Sequence, residues 1–260
     1  MRSHKLFIHA ALLLLCLFTA GCRREDLTSP IIDKASPVLL RIEKDGNNYL
    51  EYSYENGFVS KCENYISGLL RSSIRLEYNE IGLTEKETVE NSADKYRLVY
   101  QYNTADLITK IDIQGKFDSS YQSVGYLLPT YNTLGRLVKT EQYLLTDNNP
   151  WNHIDTDYDI RGNLIEKRLY YGGALQESTS YLYDDKINPL SVYKNSDLFT
   201  RTFSANNIVR ITVILHYDEN KTIIKNYNYS YSQDGYPVSR RIETIENGFS
   251  NTVSETYRYK

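Results

Sequence analysis

Apolar and polar residues alternate along most of this chain with a period of two. Ile74, Leu76 and Tyr78 are separated by charged residues, and the same alternation runs through residues 96–102. This period is typical of β-strands that bury one face. No long segment after the N-terminal residues shows the 3.6-residue apolar period of an amphipathic helix. The pattern therefore predicts an all-β protein.

A short phrase recurs along this alternation: an aromatic residue, several turn-forming residues, an aliphatic residue, and a lysine or arginine. Its copies begin at Tyr54, Tyr78, Tyr102, Tyr131, Tyr158, Tyr183, Phe203 and Tyr231. Asn, Asp, Ser and Gly follow the aromatic residue, as expected for a hairpin loop. The repeat predicts an antiparallel meander of successive β-hairpins, forming a twisted open sheet or an open barrel. Residues 256–260 resemble the first strand of a further unit that lacks its second strand.

The N-terminal residues have the character of an export signal. Arg2 and Lys5 precede a short apolar run, and small residues lead to Cys22. The run is too short to span a bilayer as a mature helix. Ala20-Gly21-Cys22 resembles the lipobox of bacterial lipoproteins, which implies cleavage before Cys22 and acylation of that cysteine. Thr19 departs from the usual aliphatic residue, and an ordinary secretory signal is the alternative.

The expected organisation is a signal peptide at 1–21, a lipid-anchored tether at 22–38 and one hairpin-repeat domain at 39–260. Residues 23–26 (RRED) resemble the signal that sends some lipoproteins of Gram-negative bacteria to the cell surface; a solvated tether is the alternative. We therefore expect a lipid-anchored outer-membrane protein, with cell-surface exposure as one possibility. After processing, Cys62 would be the one unmodified cysteine, so we expect neither an intrachain disulfide nor a cysteine metal site.

Composition limits the classes of partner. The net charge is −3, and processing would remove the two bases Arg2 and Lys5. A mildly acidic chain without a basic block argues against nucleic acid. Tyrosine, with 25 copies against 7 phenylalanines, suits a sheet whose aromatic rings pack while their hydroxyl groups reach water or backbone.

The repeat units resemble YD repeats, the tyrosine–aspartate hairpin repeats of Rhs-like proteins. Residues 158–164 (YDIRGNL) match the family pattern Y-D-x-x-G-x-L, and residues 131–137 match it with Asn132 in place of aspartate. Phrases within residues 183–189 and 206–208 are similar to those of small YD-repeat-like lipoproteins of gut bacteria, which are all-β and mostly of unknown function. The resemblance implies a fold and an envelope location without implying an activity.

The most conspicuous interruption of the repeat is the segment around Trp151 and His153. A tryptophan beside asparagine and histidine suits stacking on a sugar, and Tyr170 and Tyr171 form a second aromatic turn. These four residues are the candidate ligand-binding site. The alternative, which we favour at this point, is a tryptophan that closes the core beneath a long return loop.

Other patterns carry less chemistry. Asp155, Asp157 and Asp159 alternate as in a calcium loop, but Ile160 stands where that loop requires glycine. A lysine or arginine follows every anchor except Tyr183 by seven to nine residues: Lys61, Lys86, Lys110, Lys139, Lys167, Arg210 and Arg240. This column predicts either a basic stripe for an anionic glycan or, preferably, cross-strand ion pairs. No nucleophile motif or H-E-x-x-H sequence occurs. We therefore expect no catalytic residues, no metal and no cofactor.

Together these observations predict a lipid-anchored module of the cell envelope that binds a glycan or another envelope protein. A polysaccharide hydrolase is one alternative, because a pair of carboxylates for glycoside cleavage leaves no unique sequence signature. A purely architectural lipoprotein is the other.

Overall fold

The computed structural model describes residues 37–90, 94–118, 120–191 and 204–260. The predicted signal peptide, Cys22, nearly all of the predicted tether and the anchor Phe203 lie outside these residues. The described part contains 16 strands: β1 Leu39–Lys44, β2 Asn47–Glu55, β3 Phe58–Ile66, β4 Leu69–Tyr78, β5 Leu83–Glu90, β6 Asp94–Tyr102, β7 Ile108–Phe117, β8 Ser120–Tyr131, β9 Leu137–Leu144, β10 Asn152–Tyr158, β11 Leu164–Tyr171, β12 Ala174–Ile187, β13 Asn206–Leu215, β14 Lys221–Tyr231, β15 Pro237–Glu246 and β16 Phe249–Tyr259. The described residues contain no helix that is long and apolar enough to cross a membrane.

Each strand pairs antiparallel with its neighbours in sequence, which confirms the predicted meander. The turns after the anchors also form as predicted. The side-chain oxygen of Asn132 accepts hydrogen bonds from the backbone N–H groups of Leu134 and Arg136, both at 3.0 Å. Asn79 and Asn103 make equivalent turns. Local asparagine chemistry therefore sets the hairpin loops.

The sheet closes into a barrel, so the predicted open sheet or open barrel is wrong. β16 pairs with β1, and Tyr259 lies opposite Leu39. Within the repeat, Tyr78 lies opposite Leu83 in the same way, with an irregularity beside the pair. The N-terminal strand is thus the second strand that the last unit lacks. Closure satisfies the backbone groups that two free sheet edges would leave unpaired.

Anchor tyrosines link neighbouring hairpins through their hydroxyl groups. The hydroxyl of Tyr102 donates to the carbonyl oxygen of Leu83 at 2.7 Å, and that of Tyr183 donates to Leu164 at 2.5 Å. Tyr54 and Tyr259 bond Leu39 and Pro237 in the same manner. The aliphatic acceptor residue is buried in each case. The repeated tyrosine is therefore a structural residue that joins one unit to the next.

The two faces of the barrel wall differ in chemistry. Fully buried side chains such as Leu83, Ile111 and Leu127 share one face with the anchors, so this face points inward. The outward face is charged and carries these ion pairs: Arg41–Glu43–Arg258, Lys61–Glu63, Arg97–Glu85, Lys139–Glu141 and Asp157–Arg168–Glu166. A barrel that spans a bilayer presents an apolar band about 25 Å tall to the lipid. The described exterior of this barrel does not.

An ion pair is buried among aromatic rings inside the barrel. Arg240 donates from Nε and Nη2 to Glu255, both at 2.8 Å, and Glu255 is buried. The rings of Tyr227, Tyr229 and Tyr257 lie within 5.2–6.0 Å of the guanidinium group. Aromatic faces and the carboxylate together replace the water that the buried charge has lost.

The closed barrel has two rims. The tyrosine-turn rim contains the turns that follow the anchors, at 56–57, 79–82, 103–106, 132–135, 159–162 and 232–235. The return-turn rim contains the opposite turns, including 45–46, 67–68, 172–173 and 247–248. Leu39 begins β1 at the tyrosine-turn rim, opposite Tyr259.

Candidate functional site

The structure brings the four candidate residues together near the return-turn rim. His153 lies opposite Tyr170 in the β10–β11 ladder, and Asn152 lies opposite Tyr171, with Trp151 directly before β10. Trp151 is 41% exposed. The favoured interpretation of this tryptophan as a residue closing the core is therefore wrong: the chain places it at a strand end on the surface.

Trp151 is held in place by contacts on both sides. Its indole Nε1 donates to the hydroxyl of Tyr171 at 2.9 Å, and the two rings meet edge to face with centroids 5.3 Å apart. Its backbone N–H donates to the carbonyl oxygen of Gln142 at 2.7 Å, and its own carbonyl accepts from Gly172. An exposed aromatic side chain with a fixed orientation loses little conformational freedom on binding a ligand.

His153 and Tyr170 form a second aromatic pair on the outward face. Their rings are stacked, with centroids 4.4 Å apart and planes 10° from parallel. On the opposite, inward face of these strands, the side-chain amide of Asn152 donates to that of Gln142 at 3.0 Å. The His153–Tyr170 pair therefore adds aromatic surface to the outer wall.

Sequence reasoning missed a neighbouring aromatic pair. Tyr126 and Tyr143 lie directly opposite each other on β8 and β9, with ring centroids 5.0 Å apart and planes 6° from parallel. Lys110 Nζ lies 4.7 Å from the centroid of Tyr126. Tyr126 stands an odd number of residues before its anchor Tyr131, so period two already placed it on the outward face.

Tyr121 extends the surface towards β6. The guanidinium group of Arg97 lies 3.9 Å from its ring centroid, and its hydroxyl donates to Glu87 at 2.6 Å. Partial burial, with the hydrogen bond to Glu87, raises the pKa of Tyr121 to about 12. Partial burial and the nearby Glu141 also raise the pKa of Tyr143. Both hydroxyl groups therefore stay protonated near neutral pH and can donate hydrogen bonds.

These side chains form a surface that crosses β8–β11, which we call the aromatic strip. On the outward face it consists of Tyr121, Tyr126, Tyr143, His153 and Tyr170. Trp151 and Tyr171 complete it at the return-turn rim, where Tyr171 lies on the inward side of the ladder. All are half-buried or exposed. The strip offers ring faces and edges, hydroxyl donors and adjacent cations on a convex wall.

The other candidate features do not converge. The cations after the anchors divide between the faces: Lys61, Lys110 and Lys139 point outward, whereas Lys86, Lys167 and Arg240 point inward. They do not form a single basic stripe. Asp157 pairs with Arg168, and Asp159 bonds Asn163. Within the described residues, no group of three or more His, Cys, Asp or Glu side chains could hold a metal ion.

The described strands define a closed antiparallel β-barrel with short hairpin turns. No family model matches the chain, and no curated protein matches it. Among solved structures, the chain is similar to a porin-like protein from Bacteroides uniformis ATCC 8492. The TM-score is 0.51 at 14% sequence identity, and the alignment covers 81% of this chain and 90% of that one. This similarity concerns the fold.

Proposed function

We propose that this protein is a lipid-anchored binding module of the outer membrane and that its aromatic strip binds a glycan. The observation that carries the proposal is the cluster of surface aromatic residues on a wall that is otherwise covered by ion pairs. Contiguous apolar patches on a protein surface mark interaction sites and ligand-binding surfaces.

The chemistry of the strip fits a sugar chain. The apolar C–H face of a pyranose ring packs on an aromatic face, while its hydroxyl groups need donors and acceptors at the edge. Tyr126, Tyr143, Tyr170 and His153 supply faces, and the tyrosine hydroxyls supply hydrogen bonds. A convex surface of this length suits several successive sugar units and not a small molecule, which would need a concave pocket.

Attachment through Cys22 suits the exterior of the barrel. Charged groups on the lipid-facing surface of a barrel cost about 2–4 kcal/mol each near the bilayer centre. The outward ion pairs therefore favour a barrel held beside a membrane over one that spans it. A location at the outer membrane accords with the predicted lipobox and with a similar fold in a porin-like protein.

Binding to a panel of neutral and acidic polysaccharides tests the proposal. We expect Trp151→Ala and Tyr126→Ala each to weaken binding about tenfold, since one stacking contact contributes on the order of 1–1.5 kcal/mol. Phe249→Ala is the matched control, because Phe249 is 81% exposed on the return-turn rim but lies outside the strip. An equal loss of affinity in all three variants would contradict the assignment. So would full affinity of the two strip variants for a polysaccharide that the native protein binds.

The same variants also test the three alternative predictions: an envelope-protein partner, a hydrolase and an architectural role. Capture of a defined envelope protein that persists in Trp151→Ala would favour a protein partner away from the strip. Release of reducing sugar from a bound polysaccharide would favour the hydrolase.

A further inference from the structure

Three apolar side chains project from the tyrosine-turn rim. Ile160 is 94% exposed, Leu134 is 72% exposed and Ile81 is 42% exposed. Each occupies the middle of a turn after an anchor, at 159–162, 132–135 and 79–82. The hydrogen bonds of these turns come from Asn79, Asn132 and Asp159, so the turns do not need apolar residues at their tips.

Two of these tips are fixed relative to each other. Nη1 of Arg136 donates to the carbonyl oxygen of Asp159 at 2.7 Å, and Nη2 donates to that of Ile160 at 3.3 Å. Arg136 follows Leu134 in the neighbouring turn, so one guanidinium group braces both turns. The carboxylate of Asp159 accepts from the backbone and side-chain N–H groups of Asn163 and secures the second turn. Leu134 and Ile160 are thus presented on a fixed support.

The path of the chain selects the surface that these tips face. β1 begins at Leu39 on the same rim, so a tether from Cys22 approaches the barrel there. Fully extended, residues 22–38 reach about 55 Å, whereas a ten-residue strand rises about 33 Å. If the return-turn rim faced the membrane, much of the tether would have to run along the barrel wall to reach the lipid. If the tyrosine-turn rim faces the membrane, the tether starts at that rim.

We infer that the tyrosine-turn rim of the barrel contacts the membrane and that the side chains of Ile81, Leu134 and Ile160 insert into the interfacial layer. The inference rests on the lipid anchor of the proposed function. Aliphatic tips beside a guanidinium group suit the boundary between headgroups and acyl chains. Glu80 and Asp185 lie near the same rim, so the fitting surface is zwitterionic and not strongly anionic. The orientation points Trp151, near the opposite rim, away from the lipid.

Fluorescence quenching by brominated lipids tests this orientation. The full acylated chain is reconstituted on vesicles of phosphatidylcholine with dibrominated acyl chains. Trp151 is the only tryptophan, so the native chain reports on the return-turn rim. The test variant carries Ile160→Trp with Trp151→Phe. The matched control carries Tyr217→Trp with Trp151→Phe, because Tyr217 is 67% exposed in a turn at the return-turn rim.

We expect the Ile160→Trp variant to lose most of its fluorescence and shift its emission to the blue, while the native chain and the Tyr217→Trp variant keep theirs. Quenching of Trp151 or of the tryptophan at 217 would overturn the orientation. Absence of quenching at 160, including through failure of the chain to associate with vesicles, would also overturn it. Glycan binding is measured separately on the native chain, because Trp151→Phe alters the strip. Loss of the proposed function and loss of the orientation are then distinguishable.

Discussion

A designed disulfide across β1 and β16 tests whether the barrel closes. Arg41 and Arg258 lie directly opposite each other on these strands and point outward. Opposed residues on antiparallel strands have Cα atoms about 4.5–5.5 Å apart, within the range of a disulfide. Arg41→Cys with Arg258→Cys would join residues more than 200 positions apart. In the chain-entropy treatment, a loop of this size stabilises the folded state by up to about 5 kcal/mol.

The control moves one cysteine by a single strand. Glu51 lies opposite Arg41 on β2, so it is two strands away from Arg258. Two strands are about 9.5 Å apart, which is beyond the reach of a disulfide, so Glu51→Cys with Arg258→Cys should stay reduced. All variants carry Cys62→Ala, because the thiol of Cys62 is in no disulfide and could pair with an introduced cysteine.

Mobility on a non-reducing gel, thiol titration and urea unfolding with and without reductant provide the readouts. We expect the Arg41/Arg258 pair to cross-link on mild oxidation and to unfold at higher urea concentration until it is reduced. If both cysteine pairs stay reduced under conditions that keep the protein folded, β1 and β16 do not meet and the closed barrel is refuted.

Two further predictions concern the interior. Burial raises the pKa of Tyr102 and Tyr131 to about 12, so the stability they contribute is complete below pH 10 and falls as the pH rises towards 12. The absorbance of their tyrosinate forms should therefore rise together with loss of the β-sheet circular dichroism signal. Titration of these tyrosines near pH 10 without unfolding would contradict their burial. Replacing Arg240 by methionine leaves the Glu255 carboxylate buried without its charged partner and should lower the free energy of unfolding by about 3–5 kcal/mol. The double variant with Glu255→Met should recover most of this loss, and additive losses in urea unfolding would show that the two side chains do not act as a pair.

The hairpins were predictable from the sequence because their signals are local. Period two identifies strands such as β4 and β6, and the Asn and Gly residues after each anchor identify the loops. The predicted loops at 79–82, 132–135, 159–162 and 232–235 are present. A two-residue period and a turn are properties of neighbouring residues, so no long-range information was needed.

Closure was not predictable in the same way, because it depends on a pair at opposite ends of the domain. Leu39 has no anchor before it in sequence; its partner is Tyr259. The long β12–β13 connection is a similar case. The side chain of the buried Asn163 bonds Asn206, 43 residues later, and Leu164 N–H bonds the hydroxyl of Ser204. Such contacts have no periodic signature.

The candidate site was predicted in part. Trp151, His153, Tyr170 and Tyr171 were chosen because they interrupt the repeat, and the structure joins them in two aromatic pairs. Tyr126 and Tyr143 were missed because a chain with 25 tyrosines makes any one of them inconspicuous. Within a strand that ends at an anchor, counting parity from that anchor separates outward tyrosines such as Tyr126 from inward ones. Irregularities beside the anchors, such as the one between Thr130 and Tyr131, shift that count between strands.

The similarity to a porin-like protein and the charge of the wall lead to one conclusion about how this barrel is stabilised. A bilayer-spanning barrel places its apolar residues outward, where lipid covers them. This barrel instead turns Leu83, Ile111 and Leu127 inward, where the anchor tyrosines cover them, and leaves Lys61, Glu63 and Arg168 outside. The same closed meander is therefore stabilised by its own interior. The described wall carries charged residues and the aromatic strip where a bilayer-spanning barrel carries an apolar band.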